Sequence, residues 1–226
     1  MQSALIVGAG AGLSASLARL FAKNGLRVTL AARDTGKLAA LCSETGAKAI
    51  ATDATQPTDV TRLFDAIEPP DVVVYNASAL ARGKFTELDP ADVARSIAIS
   101  AYGGFLVAQQ ALQRMLPRAE GAILFTGASA SVKGYAQSAP FAMGKFALRG
   151  LAQSTARELG PKGIHVAHFI IDGGVRSAAR GRLDPPDRPD STLNPDDIAQ
   201  TYIEVLRQPR SAWSLEVEMR PWVETF

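Results

Sequence analysis

Leu5-Ile6-Val7-Gly8-Ala9-Gly10-Ala11-Gly12-Leu13-Ser14 is the stretch on which the fold turns. A short apolar run enters a glycine-rich turn, and residues 13–24 then continue with apolar positions at helical spacing. A strand that passes through such a turn straight into a helix gathers backbone N–H groups at the positive end of the helix, where an anion is favoured. Outward from this point the alternation repeats. Candidate strands lie at 4–7, 27–32, 47–51, 71–75, 121–126, 164–171 and 215–219. Continuous apolar runs such as Val72-Val73-Val74 suit strands buried on both faces of a parallel sheet. Helical patterns cover 13–24, 38–45 and 59–67, with longer ones at about 90–116 and 141–159. Asp89-Pro90 and Asn194-Pro195 each put a capping side chain before a proline at the first helical position. The alternation predicts a doubly wound α/β sheet of about seven parallel strands flanked by helices.

Composition narrows the function classes. Among 226 residues, 24 basic and 22 acidic side chains leave a net charge of +2, with 47% hydrophobic and 20% charged residues. This balance excludes whole-chain disorder and offers no electrostatic footprint for nucleic acid. One cysteine, Cys42, excludes an internal disulfide framework, and two histidines, His165 and His168, disfavour a histidine-rich metal centre. The first residues lack the basic region of a signal peptide, and no apolar run reaches the ~18–20 residues of a membrane span. The expectation is a cytoplasmic protein of one domain, residues 1–226. The one compositional break is 173–195, which holds Pro185, Pro186, Pro189 and Pro195 and reads as a structureless lid loop.

Gly8, Gly12 and Ser14 follow the spacing Gly-x-x-x-Gly-x-Ser, whereas the common nucleotide fingerprint Gly-x-Gly-x-x-Gly requires glycine at Leu13. Glycines also serve plain strand-to-helix turns, but this position at the first strand favours a dinucleotide phosphate. With these residues the chain resembles the short-chain dehydrogenase/reductase family over nearly its whole length, which implies a Rossmann-like fold. The family's turn reads Thr-Gly-x-x-x-Gly-x-Gly; here Val7 replaces the threonine and Ser14 the last glycine. Further landmarks come in order: Asp53 and Ala54 after the third strand, Asn76-Ala77-Ser78 ending the fourth, and Asp172-Gly173-Gly174-Val175 where the family has Pro-Gly. The resemblance implies cofactor contacts from Gly8, Gly10, Gly12, Leu13, Ser14, Arg33, Asp53, Ala54, Asn76, Ala77, Lys145, Gly173 and Val175. The second strand ends Ala31-Ala32-Arg33, without the acid that binds a ribose 2′-hydroxyl, and Arg33 is placed to pair with a 2′-phosphate. NADP(H) is therefore favoured over NAD(H), with Asp34 beside Arg33 as the opposing feature.

The family's chemistry couples a hydride to a proton passed by a tyrosine, which a lysine, a serine and an asparagine support. Of these four, only Lys145 is kept. Phe141 takes the tyrosine's position, Ser100 the asparagine's and Ala128 the serine's, with Ser129 one residue further on. Phe141 donates no proton, and a lost general acid typically lowers a rate ~10²–10⁴-fold. Water, Ser129, Tyr102 or Tyr135 remain as substitute donors. Phenylalanine beside a retained lysine resembles a divergent subgroup of the family. Two readings follow: an NADP(H)-dependent oxidoreductase acting on a small carbonyl or alcohol, or a catalytically silent NADP(H)-binding sensor or partner subunit. Arg176, Arg180 and Arg182 in the lid are candidates for holding an anion, against interleaved Asp184, Asp187 and Asp190. The long helices carry more apolar residues than one buried face needs, and the family resemblance implies a homodimer or homotetramer. Trp222 and Phe226 are expected to pack against a neighbouring element or subunit.

Overall fold

In the computed structural model, which describes residues 1–178 and 181–223, seven strands form one parallel sheet in the order β3-β2-β1-β4-β5-β6-β7. The strands are β1 (Ser3–Val7), β2 (Arg27–Ala32), β3 (Lys48–Ala51), β4 (Val72–Tyr75), β5 (Gly121–Thr126), β6 (Ile164–Ile171) and β7 (Glu216–Met219). The helices between them are α1 (Leu13–Lys23), α2 (Ala39–Thr45), α3 (Pro57–Asp65), α4 (Pro90–Ile97), α5 (Gly103–Met115), α6 (Ala139–Leu159) and α7 (Pro195–Leu206). The two-residue repeat of a strand splits the core into two layers. Ala4, Ile6, Val72, Val74 and Leu124 face α1 and α7, while Leu5, Val7, Val73, Tyr75 and Ile123 face α3, α5 and α6. The doubly wound expectation is met.

Three local expectations change. The long pattern at 90–116 is α4 and α5 joined by a five-residue π turn, Ala98–Tyr102. Helix α6 begins two residues earlier than its apolar pattern, because Pro140 takes its first turn. Helix α3 likewise begins at Pro57 rather than at residue 59. Both proline–cap starts hold as expected: Asp89 accepts from the Ala91 N–H at 2.8 Å, and Asn194 from the Asp196 N–H at 3.1 Å.

The described part of 173–195 is not structureless. Val175 bridges Leu193, and Ser177 bridges Arg182. Asp184 organises the segment: its carboxylate accepts from the Thr192 N–H at 2.8 Å and the Thr192 hydroxyl at 2.6 Å, and it pairs with Arg176. Arg176 also meets Asp190 at 3.5 Å, so its charge is met within the segment itself. Arg182 donates to the Val175 carbonyl at 3.4 Å. Arg180 and Phe226 lie outside the described residues. Trp222 is 79% exposed within the chain, which leaves a neighbouring subunit as its expected partner.

Candidate functional site

The chain reverses its winding between β1 and β4, which leaves a ligand crevice at the carboxyl ends of these strands. Gly8 follows β1 with φ +83°, and a Cβ there would stand 2.4 Å from the Ala77 nitrogen. Only glycine meets both demands. Asn76-Ala77 therefore lies directly over the turn, where the Asn76 N–H donates to the Val7 carbonyl at 2.8 Å and Nδ2 to the Gly8 carbonyl at 3.2 Å. On the other side the Gly8 and Ala9 N–H groups both donate to the Ala31 carbonyl, at 2.9 and 3.1 Å.

Above Gly10 and Gly12 the space is open: a Cβ at either position would meet nothing within 4 Å. Gly12 caps α1 with no side-chain hydrogen bond, and the first turn holds no acidic residue. The Ala15 N–H donates to the Gly12 carbonyl at 2.8 Å, whereas the Leu13 and Ser14 N–H groups precede the first helical acceptor, as an anion site requires. The Ser14 side chain is engaged within the turn itself. Its buried hydroxyl accepts from the Gly10 N–H at 2.8 Å and donates to the Gly10 carbonyl at 3.1 Å, so it locks the turn instead of facing a phosphate. The Leu13 side chain is buried in the α1 layer, and positions 13 and 14 offer a ligand their backbone only.

Arg33 is exposed and makes no hydrogen bond or ion pair among the described residues. Asp34, by contrast, is engaged locally. It accepts from the Gly36 N–H at 3.1 Å and pairs with Lys37 at 3.0 Å, and Lys37 holds its carboxyl below the usual range. Asp53 uses one carboxylate oxygen to accept from the Thr55 N–H and hydroxyl, at 2.9 and 2.7 Å. Ala54 is buried beneath the start of α5, where a Cβ on Gly103 would reach its carbonyl oxygen at 2.9 Å. Gly173, at φ +149°, ends β6 against Pro221. The Leu193 N–H donates to Gly174 and the Arg176 N–H to Leu193, which turns the Val175 N–H to the opposite side of that bridge.

The π turn sets the second half of the site. Gly103 donates to the Ala98 carbonyl, five residues back, so the Ile99 carbonyl loses its helical partner and accepts from the Tyr75 hydroxyl at 2.5 Å. The turn directs Ser100 inward, fully buried, with no hydrogen-bond partner for its hydroxyl. Opposite it is Gly144 of α6, where a Cβ would come within 2.7 Å of the Ser100 Cβ. One residue on, Lys145 is buried, and its Nζ donates to the Thr126 carbonyl at 2.7 Å. Burial pulls this ammonium down to about 8. The Phe141 ring centroid is 5.9 Å from Nζ, so phenylalanine supplies a cation–π face where the family has a hydroxyl. An ammonium has three donors, and the Thr126 bond uses one.

Ser129 opens a short 3-10 turn, Ser129–Ser131, after β5, and lies beside Asp172 at the end of β6. Asp172 has a second neighbour that sequence reasoning missed: Lys133 donates to it at 2.9 Å. Burial pushes the Asp172 carboxyl up, but Lys133 and Ser129 outweigh this and hold it below the usual range. The signal was an acid in place of proline at a strand end. His168 was missed as well. It is buried behind Gly127, with Nε2 3.2 Å from the Ser131 hydroxyl. Tyr102 is exposed and stacks on Phe105 at 6.3 Å, and Tyr135 is half exposed.

Comparison with known proteins agrees with this architecture. A family model for short chain dehydrogenases matches residues 2–186, and the chain belongs to that family. A crystal structure of a short-chain dehydrogenase from Rhodopseudomonas palustris is 33% identical and superposes with a TM-score of 0.84 over 98% of this chain and 99% of that one. A metagenomic short-chain oxidoreductase in complex with NADP is 26% identical, with a TM-score of 0.83 over 99% and 98% of the two chains. An uncharacterized oxidoreductase of Staphylococcus aureus (strain USA300) is 28% identical over 96% of both chains.

Proposed function

We propose that this protein is an NADP(H)-dependent oxidoreductase that moves a hydride to or from a small carbonyl or alcohol, in the family's branch where phenylalanine stands for tyrosine. The carrying observation is the open glycine turn at the positive end of α1, with an unpaired arginine just beyond β2. Backbone N–H groups at Gly12–Ser14 would hold the pyrophosphate, Arg33 a 2′-phosphate, the second Asp53 oxygen the adenine amine, and the Val175 N–H the nicotinamide amide. The two remaining Lys145 donors suit ribose hydroxyls, and the orphaned Ser100 hydroxyl suits a bridging water. When bound, the dinucleotide supplies or accepts the hydride. The NADP-bound metagenomic relative supports this choice of cofactor.

Arg33 provides the test of cofactor preference. Replacing Arg33 with Ala should weaken NADPH binding roughly 10- to 100-fold, the worth of a charge-assisted hydrogen bond, and leave NADH nearly unaffected. Equal loss for both nucleotides would overturn the phosphate assignment.

A second reading is favoured by Phe141 and by the turn of Lys145 toward the Thr126 carbonyl: an NADP(H)-binding sensor or partner subunit without turnover. Sustained NADPH oxidation with any carbonyl would exclude it. Exposed Tyr102, Phe105, Met143 and Phe146, from the π turn, α5 and α6, support assembly as a homodimer or homotetramer in either case. Among the described residues no helix is long and apolar enough to cross a membrane, and no cluster of three potential metal ligands occurs.

A further inference from the structure

The Asp172–Lys133 pair ties the chain just after β6 to the loop after β5, both at the carboxyl edge of the sheet. Asp172 directly follows β6, its side chain is 4% exposed, and a carboxylate so buried requires a cation or several donors. Lys133 arrives from the loop after β5, with its side chain 41% exposed. Its N–H donates to the Ser129 carbonyl at 2.9 Å, so both residues belong to one tight turn. We propose that Lys133, held by Asp172 beside Ser129, is the proton donor that takes the place of the missing tyrosine. The proposal rests on the oxidoreductase reading.

Three other groups are poorly suited to the role. Phe141 has no proton to give, Lys145 is buried on the Thr126 carbonyl, and Tyr102 is stacked on an exposed helix face. An ammonium can serve as the acid in place of a phenol, since lysine and tyrosine titrate at about 10.4 and 10 in water and a forming alkoxide is far more basic than either conjugate base. The hydrogen bond to Asp172 raises the lysine further, so Lys133 is charged at neutral pH. Tyr135, Glu218 and Arg220 are the other ionisable groups facing this pair. As hydride reaches the carbonyl carbon, the C=O π pair moves to oxygen. An O–H bond forms there while an N–H bond breaks at Nζ. The neutral amine then takes a proton from water on its exposed side, and Asp172 stays a carboxylate throughout. Alcohol oxidation runs the same transfers backwards.

The test compares two hydride acceptors with NADPH. Ethyl 4-chloroacetoacetate needs a proton on a strongly basic alkoxide, whereas 9,10-phenanthrenequinone gives a phenolate-like product that needs no protein acid. The ratio of ketone to quinone turnover should fall roughly 10²–10⁴-fold in Lys133→Ala, with partial rescue by added ethylamine. It should also fall in Lys133→Arg, which keeps the ion pair but is a much weaker acid. An unchanged ratio in Lys133→Arg with a fallen one in Lys133→Ala would make Lys133 a strap only and overturn the proposal. A second readout is independent of turnover: the Lys133 13Cε resonance should move when ethyl 4-chloro-3-hydroxybutanoate binds the NADP+ complex, and a resonance that stays put contradicts the assignment. A wild-type protein that reduces the quinone but not the ketone also removes Lys133 as donor. If calorimetry finds no NADPH binding at all, the oxidoreductase reading itself fails, an outcome distinct from binding with an unchanged ratio.

Discussion

Burial decides what the polar residues near the site can do. Lys145, Ser100, His168 and Asp172 are all withdrawn from water, and each resolves the penalty in a different way. Lys145 takes a carbonyl, Asp172 takes a lysine, and Ser100 keeps an orphaned hydroxyl. His168 stays neutral: burial lowers it to about 4, against about 6.5 for a free histidine. Between these values the unfolded chain binds a proton that the native state does not. The contribution is therefore complete above about pH 6.5 and is lost as pH falls toward 4, by at most about 3 kcal/mol at ~1.36 kcal/mol per pH unit. Urea unfolding at pH 7 and 4.5 should show this acid loss in the native sequence and a smaller one in His168→Gln. Equal losses in both would contradict the buried neutral imidazole. Much at this scale was legible, because Gly8, Asn76 and Lys145 sit at positions that motif spacing marks. The Lys133–Asp172 pair was not, because its members are 39 residues apart and meet only through sheet packing.

Among the elements, the π turn is the device that fits the site to its surroundings. One extra residue in the hydrogen-bond ladder frees the Ile99 carbonyl, turns Ser100 inward and lets α6 approach at Gly144. π-Turns inside longer helices frequently mark functional sites. The Tyr75 hydroxyl is what satisfies the freed carbonyl, and Tyr75 is fully buried. Tyr75→Phe should lower stability by about 1–3 kcal/mol in urea unfolding, since a buried acceptor is left without a donor. A loss below ~0.5 kcal/mol would mean that the π turn does not depend on this bond. The sequence from Ile97 to Tyr102 carries no mark of the turn, because its apolar spacing reads as ordinary helix. Strands and proline-capped helices were legible for the opposite reason: their signals are local, in continuous apolar runs and in the Asp89-Pro90 and Asn194-Pro195 pairs.

For the molecule as a whole, parallel winding places every strand's carboxyl end on one edge of the sheet, and that edge collects Gly8, Asn76, Thr126 and Asp172 from β1, β4, β5 and β6. Alternating strands and helices made this legible, since right-handed crossovers leave few other ways to bury such strands. The outer face of α5 and α6 is a separate matter. Sedimentation should show a dimer or larger species, and Phe105→Glu with Phe146→Asp should shift it toward monomer; a monomeric native protein would contradict the proposed assembly. On the reading proposed above, the carboxyl edge of the sheet takes a phosphorylated dinucleotide. Calorimetric titration of the purified protein with NADPH, and with NADH in parallel, tests it most directly. Saturable binding that is tighter for NADPH is expected, and the absence of heat with either nucleotide would rule out a dinucleotide at this edge.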